Sequence, residues 1–239
     1  MDTALIVITL GSFLASFVNA AFATGGVYIM LLASIWVLPI SVAVPLQSAF
    51  AAGSLSARVY YFWQYIYWPI AGTFVAGCCI GVYFGTRAFV ALPEAILSIA
   101  LGTVLLTLIW MPNRRRALDN RRTFFFVGVV HSFFGALFGV GGVLQPFILR
   151  TSLKKMQITG TLAVCLISLD VMKATGYVSI GFSYWDYYPH ILCATLSGVL
   201  GTWIGKRVTY HVSEEGFRTM FRILVSLIAV RLIYKGIVS

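Results

Sequence analysis

Two apolar segments of this chain are each interrupted by a pair of adjacent glycines, one pair in each half of the sequence. The first pair is Gly25-Gly26, and the second is Gly141-Gly142. An unpaired backbone group in lipid costs several kcal/mol, so non-helical backbone at that depth occurs only where protein or a water-filled cavity surrounds it. Matched interruptions in the two halves of a membrane chain indicate a transport site, although a packing kink would leave the same pattern.

Composition places the chain in a membrane. Hydrophobic residues make up 60% of its 239 residues, charged residues only 10%, and the mean hydropathy is +0.93. A soluble domain carries about 25% charged residues. The net charge of +10 comes from Lys and Arg that lie between the apolar segments, as in cytoplasmic loops, so we expect no nucleic-acid partner. We expect a multi-pass protein of the cell (inner) membrane whose partners are the lipid bilayer and a small anion.

The motifs that would indicate an enzyme are missing from the sequence. The four cysteines lie inside apolar segments and form no C-x-x-C pair, and the three histidines show no metal-ligand spacing. No P-loop motif is present, so we do not expect ATP to drive the protein directly. We therefore expect no cofactor, no metal site and no enzymatic activity.

Three motifs recur in the same order in both halves, which indicates an internal duplication. The double glycines match at an offset of 116 (141 − 25). Two further pairs match at an offset of 120 (201 − 81): Gly81-x-x-x-Gly85-Thr86-Arg87 with Gly201-x-x-x-Gly205-Lys206-Arg207, and Pro93-Glu94 with Ser213-Glu214. The G-x-x-x-G pairs themselves are typical of close helix packing in lipid. The sequence thus predicts a first transmembrane repeat (1–112), a basic cytoplasmic linker (113–122) and a second transmembrane repeat (123–239).

The apolar stretches predict an all-α polytopic membrane protein. In the first half they cover about 3–22, 27–38, 41–62, 67–89 and 94–111. In the second half they cover about 124–138, 143–149, 156–180, 187–205 and 215–235. A helix needs about 20 apolar residues to cross the bilayer, so the stretches that directly follow the double glycines are too short to cross alone.

Two topologies are compatible with these stretches. If each broken pair forms a re-entrant helical hairpin, each half has three full transmembrane helices and the two halves are inverted. If each broken pair makes one crossing, eight transmembrane helices form a parallel 4+4 arrangement. We favour inverted halves, because a cytoplasmic arginine-rich linker then also places Lys154-Lys155 and Lys206-Arg207 inside.

Candidate substrate-binding residues lie at the breaks and in the third stretch of each half. A helix N-terminus has free N–H groups and a partial positive charge, so a helix that begins after a double glycine offers an anion a docking point. The candidates near the breaks are Thr24, Gly25, Gly26, His131, Gly141, Gly142 and Gln145. The candidates in the third stretches, where side chains could hydrogen-bond an oxyanion or a neighbouring helix, are Gln47, Arg58, Thr161 and Lys173.

Lys173 lies deep in the apolar run from Leu162 to Ile180. An ionised side chain at such a depth is a functional hypothesis by default. Asp170 lies one turn before it on the same face, so a purely structural ion pair and a pair that also binds substrate both remain open. Arg58 is equivalent to Lys173 at an offset of 115 (173 − 58), or it marks a cytoplasmic helix end. His131 and Asp170 are the candidates for proton coupling, and His131 is equally compatible with hydrogen-bonded packing.

The same residues resemble the sulfite exporter TauE/SafE family of membrane permeases. The motifs that carry the resemblance are Phe138-Gly139-Val140-Gly141-Gly142 with Pro146, Thr159-Gly160-Thr161-Leu162-Ala163, and Tyr177-x-x-x-Gly181-x-x-x-Trp185. The first half carries a weaker copy, Thr24-Gly25-Gly26, in which Asn19 replaces a glycine. The resemblance adds Asn19 and Gly139 to the candidate substrate-binding residues, and it implies duplicated permeases that move sulfite, sulfonates and related sulfur-containing anions.

We therefore expect a secondary transporter for a small anion, either sulfite or an organosulfonate or sulfur oxyanion. The expected mechanism is alternating access, with the substrate at the two broken hairpin tips. An anion channel of the same fold is one alternative, and a membrane assembly factor that transports nothing is the other.

Overall fold

The computed structural model describes residues 3–22, 25–110, 121–208, 223, 226–227, 229–234 and 236–238. Helix accounts for 88% of the structure, and the described residues contain no strand, so the all-α prediction is confirmed for this part of the chain. The helices are α1 (Thr3–Phe22), α2 (Gly26–Val37), α3 (Ile40–Phe62), α4 (Trp68–Ala91), α5 (Glu94–Trp110), α6 (Arg121–Phe138), α7 (Leu144–Ile148), α8 (Lys155–Ser179) and α9 (Tyr188–Val208). The described residues from 223 to 238 are also helical. Short 3₁₀ helices cover Trp63–Tyr65 and Trp185–Tyr187.

Several of these helices are suited to a bilayer. Four segments of the described chain are long and apolar enough to cross a membrane: Thr3–Ala20, Ile40–Tyr65, Trp68–Ala91 and Met156–Ser179. Shorter apolar helices cover Gly26–Val37, Glu94–Thr107 and Arg122–Phe138. The protein is therefore a multi-pass membrane protein.

Prolines fix the starts of several helices. Pro39 directly precedes α3 and Pro93 directly precedes α5, while Pro69 and Pro189 are the second residues of α4 and α9. Proline lacks an N–H group, and the first turn of a helix leaves its N–H groups without helical partners, so proline is tolerated there. These prolines make the helix starts readable from the sequence.

The described chain forms two compact units, and each unit combines segments from both sequence halves. Unit 1 comprises Met1–Phe50, Leu92–Pro112 and Trp185–Ser239, and unit 2 comprises Ala51–Ala91 and Asn113–Tyr184. In unit 1, α1 packs against α2 and α9; in unit 2, α4 packs against α6 and α8. The division into two sequence repeats stays a prediction, and residues 113–120 of the predicted linker lie outside the described residues.

Glycines of α4 bring it against α6 in unit 2. A Cβ atom added at Gly81 would collide with the backbone of α6 at Val129, and one at Gly85 would lie 2.7 Å from the Phe133 carbonyl oxygen. The two helices run in the same direction, because successive glycines of α4 meet successive turns of α6. The predicted role of this G-x-x-x-G pair in close helix packing is confirmed.

The second G-x-x-x-G pair, in unit 1, also allows two helices to pack closely. A Cβ atom at Gly201 would collide with the Phe13 carbonyl oxygen of α1, and one at Gly205 would lie 2.6 Å from the Phe17 carbonyl oxygen. The hydroxyl of Ser12 also donates a hydrogen bond of 2.6 Å to the α9 carbonyl of Ala194. Helices α1 and α9 are therefore in backbone contact and run in the same direction.

Both predicted breaks are present. Helix α1 ends at Phe22 and α2 begins at Gly26, while α6 ends at Phe138 and α7 begins only at Leu144. Helix α2 then runs back along α1, because Gly26 lies against Asn19 whereas Gly11, earlier on α1, faces the later residue Ala33. With 20 residues, α1 is longer than the 12-residue α2.

Candidate functional site

The first break is closed by the side chain of Asn19. The N–H of Gly26, the first residue of α2, donates a hydrogen bond of 3.0 Å to Asn19 Oδ1. Gly25 has φ 96°, a left-handed conformation that favours glycine. A Cβ atom at Gly26 would collide with the Ala15 carbonyl oxygen, so this glycine allows the two helix backbones to approach closely. Thr24, another candidate at this break, lies outside the described residues.

The second break is closed by His131 of α6. Its ring nitrogen Nδ1 accepts hydrogen bonds from the N–H groups of Val143, at 3.2 Å, and Leu144, at 3.0 Å. The side chain is 5% exposed. Because Nδ1 accepts, this hydrogen-bond pattern assigns the proton of the neutral ring to Nε2. His131 therefore acts as the cap of the chain segment that begins α7.

Three glycines let the chain pass close to this histidine. Gly139 and Gly142 have φ values of 77° and 66°, and a side chain at either position would be strained. Gly141 does not share this left-handed conformation, but a Cβ atom there would collide with the His131 ring. Gln145 follows in the first turn of α7 and is half-buried. The second break is thus shaped around one buried imidazole.

These caps change the interpretation of the helix ends. The sequence predicts free N–H groups that dock an anion, whereas the N–H groups of Gly26, Val143 and Leu144 are engaged by protein side chains. Sequence reasoning named both Asn19 and His131 as substrate-binding candidates but did not assign either one a capping role. The signal in the sequence is an acceptor side chain within three turns before each double glycine. Their predicted role in binding substrate stays a prediction.

Lys173 and Asp170 form an ion pair on α8. Lys173 Nζ lies 3.3 Å from Asp170 Oδ1, and the two side chains are 2% and 16% exposed. The predicted pairing on one helix face is therefore confirmed. In the part of the chain that the structure describes, Asp170 is the one hydrogen-bond partner of this ammonium group. An ammonium group has three N–H donors, so two of them are available to a ligand.

The buried face of α8 around this pair contacts α6. Lys173 lies within electrostatic range of His131. One turn beyond Lys173, the Tyr177 hydroxyl donates a hydrogen bond to the Ala136 carbonyl of α6. Unit 2 therefore brings together the His131 cap, the glycines of the second break and the Lys173–Asp170 pair.

Thr161 does not join this group. Its Oγ1 accepts a hydrogen bond of 2.9 Å from the N–H of Tyr67, just before α4, and the side chain is fully buried. Thr161 lies twelve residues before Lys173 on α8, a separation of about 18 Å along the helix axis. The structure thus gives Thr161 a helix-packing contact near the opposite end of α8.

Gln47 and Arg58 both lie on α3, where each has a distinct environment. Gln47 is 5% exposed, and its Nε2 atom has no hydrogen-bond partner within the described residues. An unmet buried donor costs about 1–3 kcal/mol, which makes this amide a candidate to donate to a ligand. Arg58 is half-buried and forms no salt bridge with any described residue. Gln47 belongs to unit 1 and Arg58 to unit 2.

A separate groove of about 320 Å³ lies between α4 and α8. Its lining includes Arg87, whose guanidinium carbon lies 3.5 Å from the centre of the Tyr83 ring, and Thr175 and Ser179 of α8. None of the predicted substrate-binding residues lines this groove. Within the described residues, no group of three or more His, Cys, Asp or Glu side chains could hold a metal ion.

A multi-pass helical bundle with two broken helices and a buried Lys–Asp pair belongs to the class of membrane transport proteins. The family model described as sulfite exporter TauE/SafE matches residues 8–232. The chain therefore belongs to the sulfite exporter TauE/SafE family, and the resemblance stated from the motifs is confirmed. Comparison with the curated proteins and with the solved structures gives no match. Family membership makes the protein a membrane permease for sulfur-related anions.

Proposed function

We propose that the protein is a secondary transporter of the cell (inner) membrane that carries sulfite or an organosulfonate, and that Lys173 binds the anion. The observation that carries the proposal is the ammonium group of Lys173, which is 2% exposed and has one partner among the described residues, Asp170, at 3.3 Å. A buried charge is costly unless it is paired and fully hydrogen-bonded. Within the described residues, two donors of Lys173 have no protein acceptor, and the oxygens of a sulfite or sulfonate group would supply acceptors for them.

The chemistry of the ligand matches that of the lysine. Hydrogen bonds between an ammonium group and an anionic oxygen are about twice as strong as neutral ones. They gain further strength in a site from which water is excluded. A sulfonate or sulfite group presents several oxygens on one tetrahedral or pyramidal centre, so one ion can accept both free donors.

We also propose that the two sequence halves are inverted repeats. A Cβ atom at Gly102 of α5 would lie 2.6 Å from the Ala229 carbonyl oxygen, and one at Gly236 would lie 2.6 Å from the Ala95 carbonyl oxygen. Helix α5 and the C-terminal helical segment therefore run antiparallel. These two segments are the last predicted stretches of the two halves. Inverted halves require such equivalent helices to run in opposite directions, whereas parallel halves require them to run in the same direction.

The direction of α8 supports the same topology. Near the start of both helices, Thr161 of α8 binds the N–H of Tyr67, and near their ends Gly176 of α8 lies against Thr86 of α4. Helices α4 and α8 thus run in the same direction. Inverted halves with two re-entrant hairpins require this, whereas the 4+4 arrangement requires opposite directions.

Matched glycine contacts support the duplication. A Cβ atom at Gly85 would lie 2.9 Å from Ala136 Cβ, and one at Gly205 would lie 3.0 Å from Ala20 Cβ. The glycines are related by the offset of 120, and the alanines by the offset of 116, as the sequence motifs are. In each unit, a helix of one half therefore packs on a helix of the other half through equivalent residues.

Counterflow in proteoliposomes tests the proposed transport. Vesicles loaded with unlabelled sulfite should take up labelled sulfite faster than empty vesicles, because a carrier exchanges substrate across the membrane. Lys173→Ala should abolish this stimulation, while Arg87→Gln, which removes a cation from the groove between α4 and α8, should retain it. Flux that saturates poorly and is not stimulated by internal sulfite would favour a channel, and the absence of flux in wild-type protein would favour an assembly factor.

A further inference from the structure

We propose that Asp170 is a built-in substitute for the transported anion, and that the anion binds Lys173 together with one proton, which Asp170 takes up. This inference rests on the proposed function, since it describes how the same lysine exchanges one negative partner for another. Asp170 supplies the single anionic oxygen that contacts Lys173 in the described structure. An incoming sulfonate would compete with that oxygen for the same ammonium group.

Charge balance inside the bundle leads to proton uptake. The empty pair is neutral, with one ammonium group and one carboxylate. A monoanion bound at Lys173 would leave a net negative charge in a buried site, which is strongly unfavourable unless it is neutralised. One proton from water, added to the Asp170 carboxylate, restores a neutral site and frees the lysine. The Nζ–Oδ1 separation of 3.3 Å is longer than the usual 2.7–2.9 Å of an ammonium–carboxylate hydrogen bond.

Access supports the same assignment. Asp170 is 16% exposed, whereas Lys173 is 2% exposed, so the carboxylate is the less shielded member of the pair. We therefore assign the proton to Asp170 rather than to a group near the more deeply buried lysine.

His131 is the other coupling candidate, and its hydrogen bonds argue against it. Its Nδ1 atom already accepts two backbone N–H groups, from Val143 and Leu144, so the neutral ring carries its proton on Nε2. A second proton would have to enter at Nδ1. It would break both hydrogen bonds and would place a positive charge within electrostatic range of Lys173. The geometry therefore makes His131 a positioning residue and leaves the proton to Asp170.

Other titratable groups around α8 do not replace Asp170. Among the described residues of the elements packed against α8, α7 carries no titratable side chain, and Tyr177 of α8 itself donates to a carbonyl. Lys173 is the charged group that interacts with Asp170. The remaining titratable side chains on the packed elements, within the described residues, are Arg122 and His131 of α6, Cys78, Cys79, Tyr83 and Arg87 of α4, and Tyr65 of the first 3₁₀ helix.

Calorimetry with methanesulfonate tests the inference, because this probe stays ionised across the pH range used. Binding to the purified full-length protein is measured in two buffers of different protonation enthalpy, so that the number of protons taken up per anion is obtained directly. We expect about one proton per anion, and an affinity that rises about tenfold for each unit by which pH falls. Asp170→Asn should bind methanesulfonate with almost no proton uptake and with an affinity nearly independent of pH.

His131→Asn provides the matched control, and it should still take up about one proton per anion. Wild-type binding without proton uptake, or uptake that disappears in His131→Asn and persists in Asp170→Asn, would overturn the role of Asp170 while leaving the proposed transport function standing. Absence of both methanesulfonate and sulfite binding to the wild-type protein at every pH would overturn the proposed function and this inference together.

Discussion

Substitution of Gly141 tests the structure of the second break through a double-mutant cycle. A Cβ atom at Gly141 would collide with three ring atoms of His131, which are also its three nearest neighbours. The His131 ring cannot move away without loss of its hydrogen bonds to Val143 and Leu144. Overpacking of this kind costs about 1–3 kcal/mol, so we expect Gly141→Ala to lower the free energy of unfolding by about 2 kcal/mol.

Removal of the imidazole should reverse the sign of this effect. In a His131→Ala background the obstacle to a Cβ atom is gone, and Gly141 is not held in a left-handed conformation. The same Gly141→Ala change should then be neutral or stabilise the protein by about 0.4–1 kcal/mol, because alanine restricts the unfolded chain more than glycine does. His131→Ala itself should cost about 2–6 kcal/mol, since it leaves two buried N–H groups unmet.

The unfolding free energies are measured by SDS titration of the purified variants in mixed micelles. Gly142→Ala is the matched control, because Gly142 has φ 66° and should lose about 1–2 kcal/mol whether or not His131 is present. If His131→Ala proves too unstable to purify, His131→Ser, which also lacks the three ring atoms that the Cβ atom would meet, replaces it. An equal cost of Gly141→Ala in both backgrounds would refute the contact between the glycine and the imidazole.

Four further substitutions, at three positions, test the packing of the helices and the first break. Asn19→Ala should destabilise the protein by about 0.5–2 kcal/mol through loss of the cap on Gly26, whereas Asn19→Asp should retain most of the stability. Equal losses of stability in the two variants, measured by thermal unfolding, would contradict the capping role. Gly81→Ala should destabilise the protein by about 1–3 kcal/mol because its Cβ atom meets the α6 backbone. At Gly72 an added Cβ atom has no neighbour within 4 Å, so Gly72→Ala should stabilise the protein by about 0.5–1 kcal/mol. Similar effects of Gly81→Ala and Gly72→Ala on thermal unfolding would argue against the α4–α6 contact.

The positions of the helices were largely predictable from the sequence. Apolar length, proline at helix starts and glycine at breaks are local signals, and they placed α3 and α8 within two residues of their observed ends. The Lys173–Asp170 pair was also predictable, because residues three apart on a helix share a face. Such features depend on the geometry of a single helix and on no distant partner.

Other features depend on which segments meet, and the sequence did not indicate them. A G-x-x-x-G pair shows that a helix packs closely, but it does not name the partner. The exchange in which α4 packs on α6 and α1 on α9 was therefore not foreseen. Likewise, the capping roles of Asn19 and His131 depend on how tightly each chain segment turns back on the preceding helix. In the sequence, a helix that begins after a double glycine is equally compatible with a side-chain cap and with a bound anion.

Binding of sulfite to a charge-neutral double variant tests the role of Lys173 most directly. Asp170→Asn combined with Lys173→Met removes both charges at once, so no unpaired ion is left in the bundle to unfold it. We expect this variant to insert and remain folded, as judged by gel filtration and thermal unfolding, yet to bind no sulfite in calorimetry. Sulfite affinity equal to that of the wild-type protein would contradict the account, since the anion would then be held elsewhere.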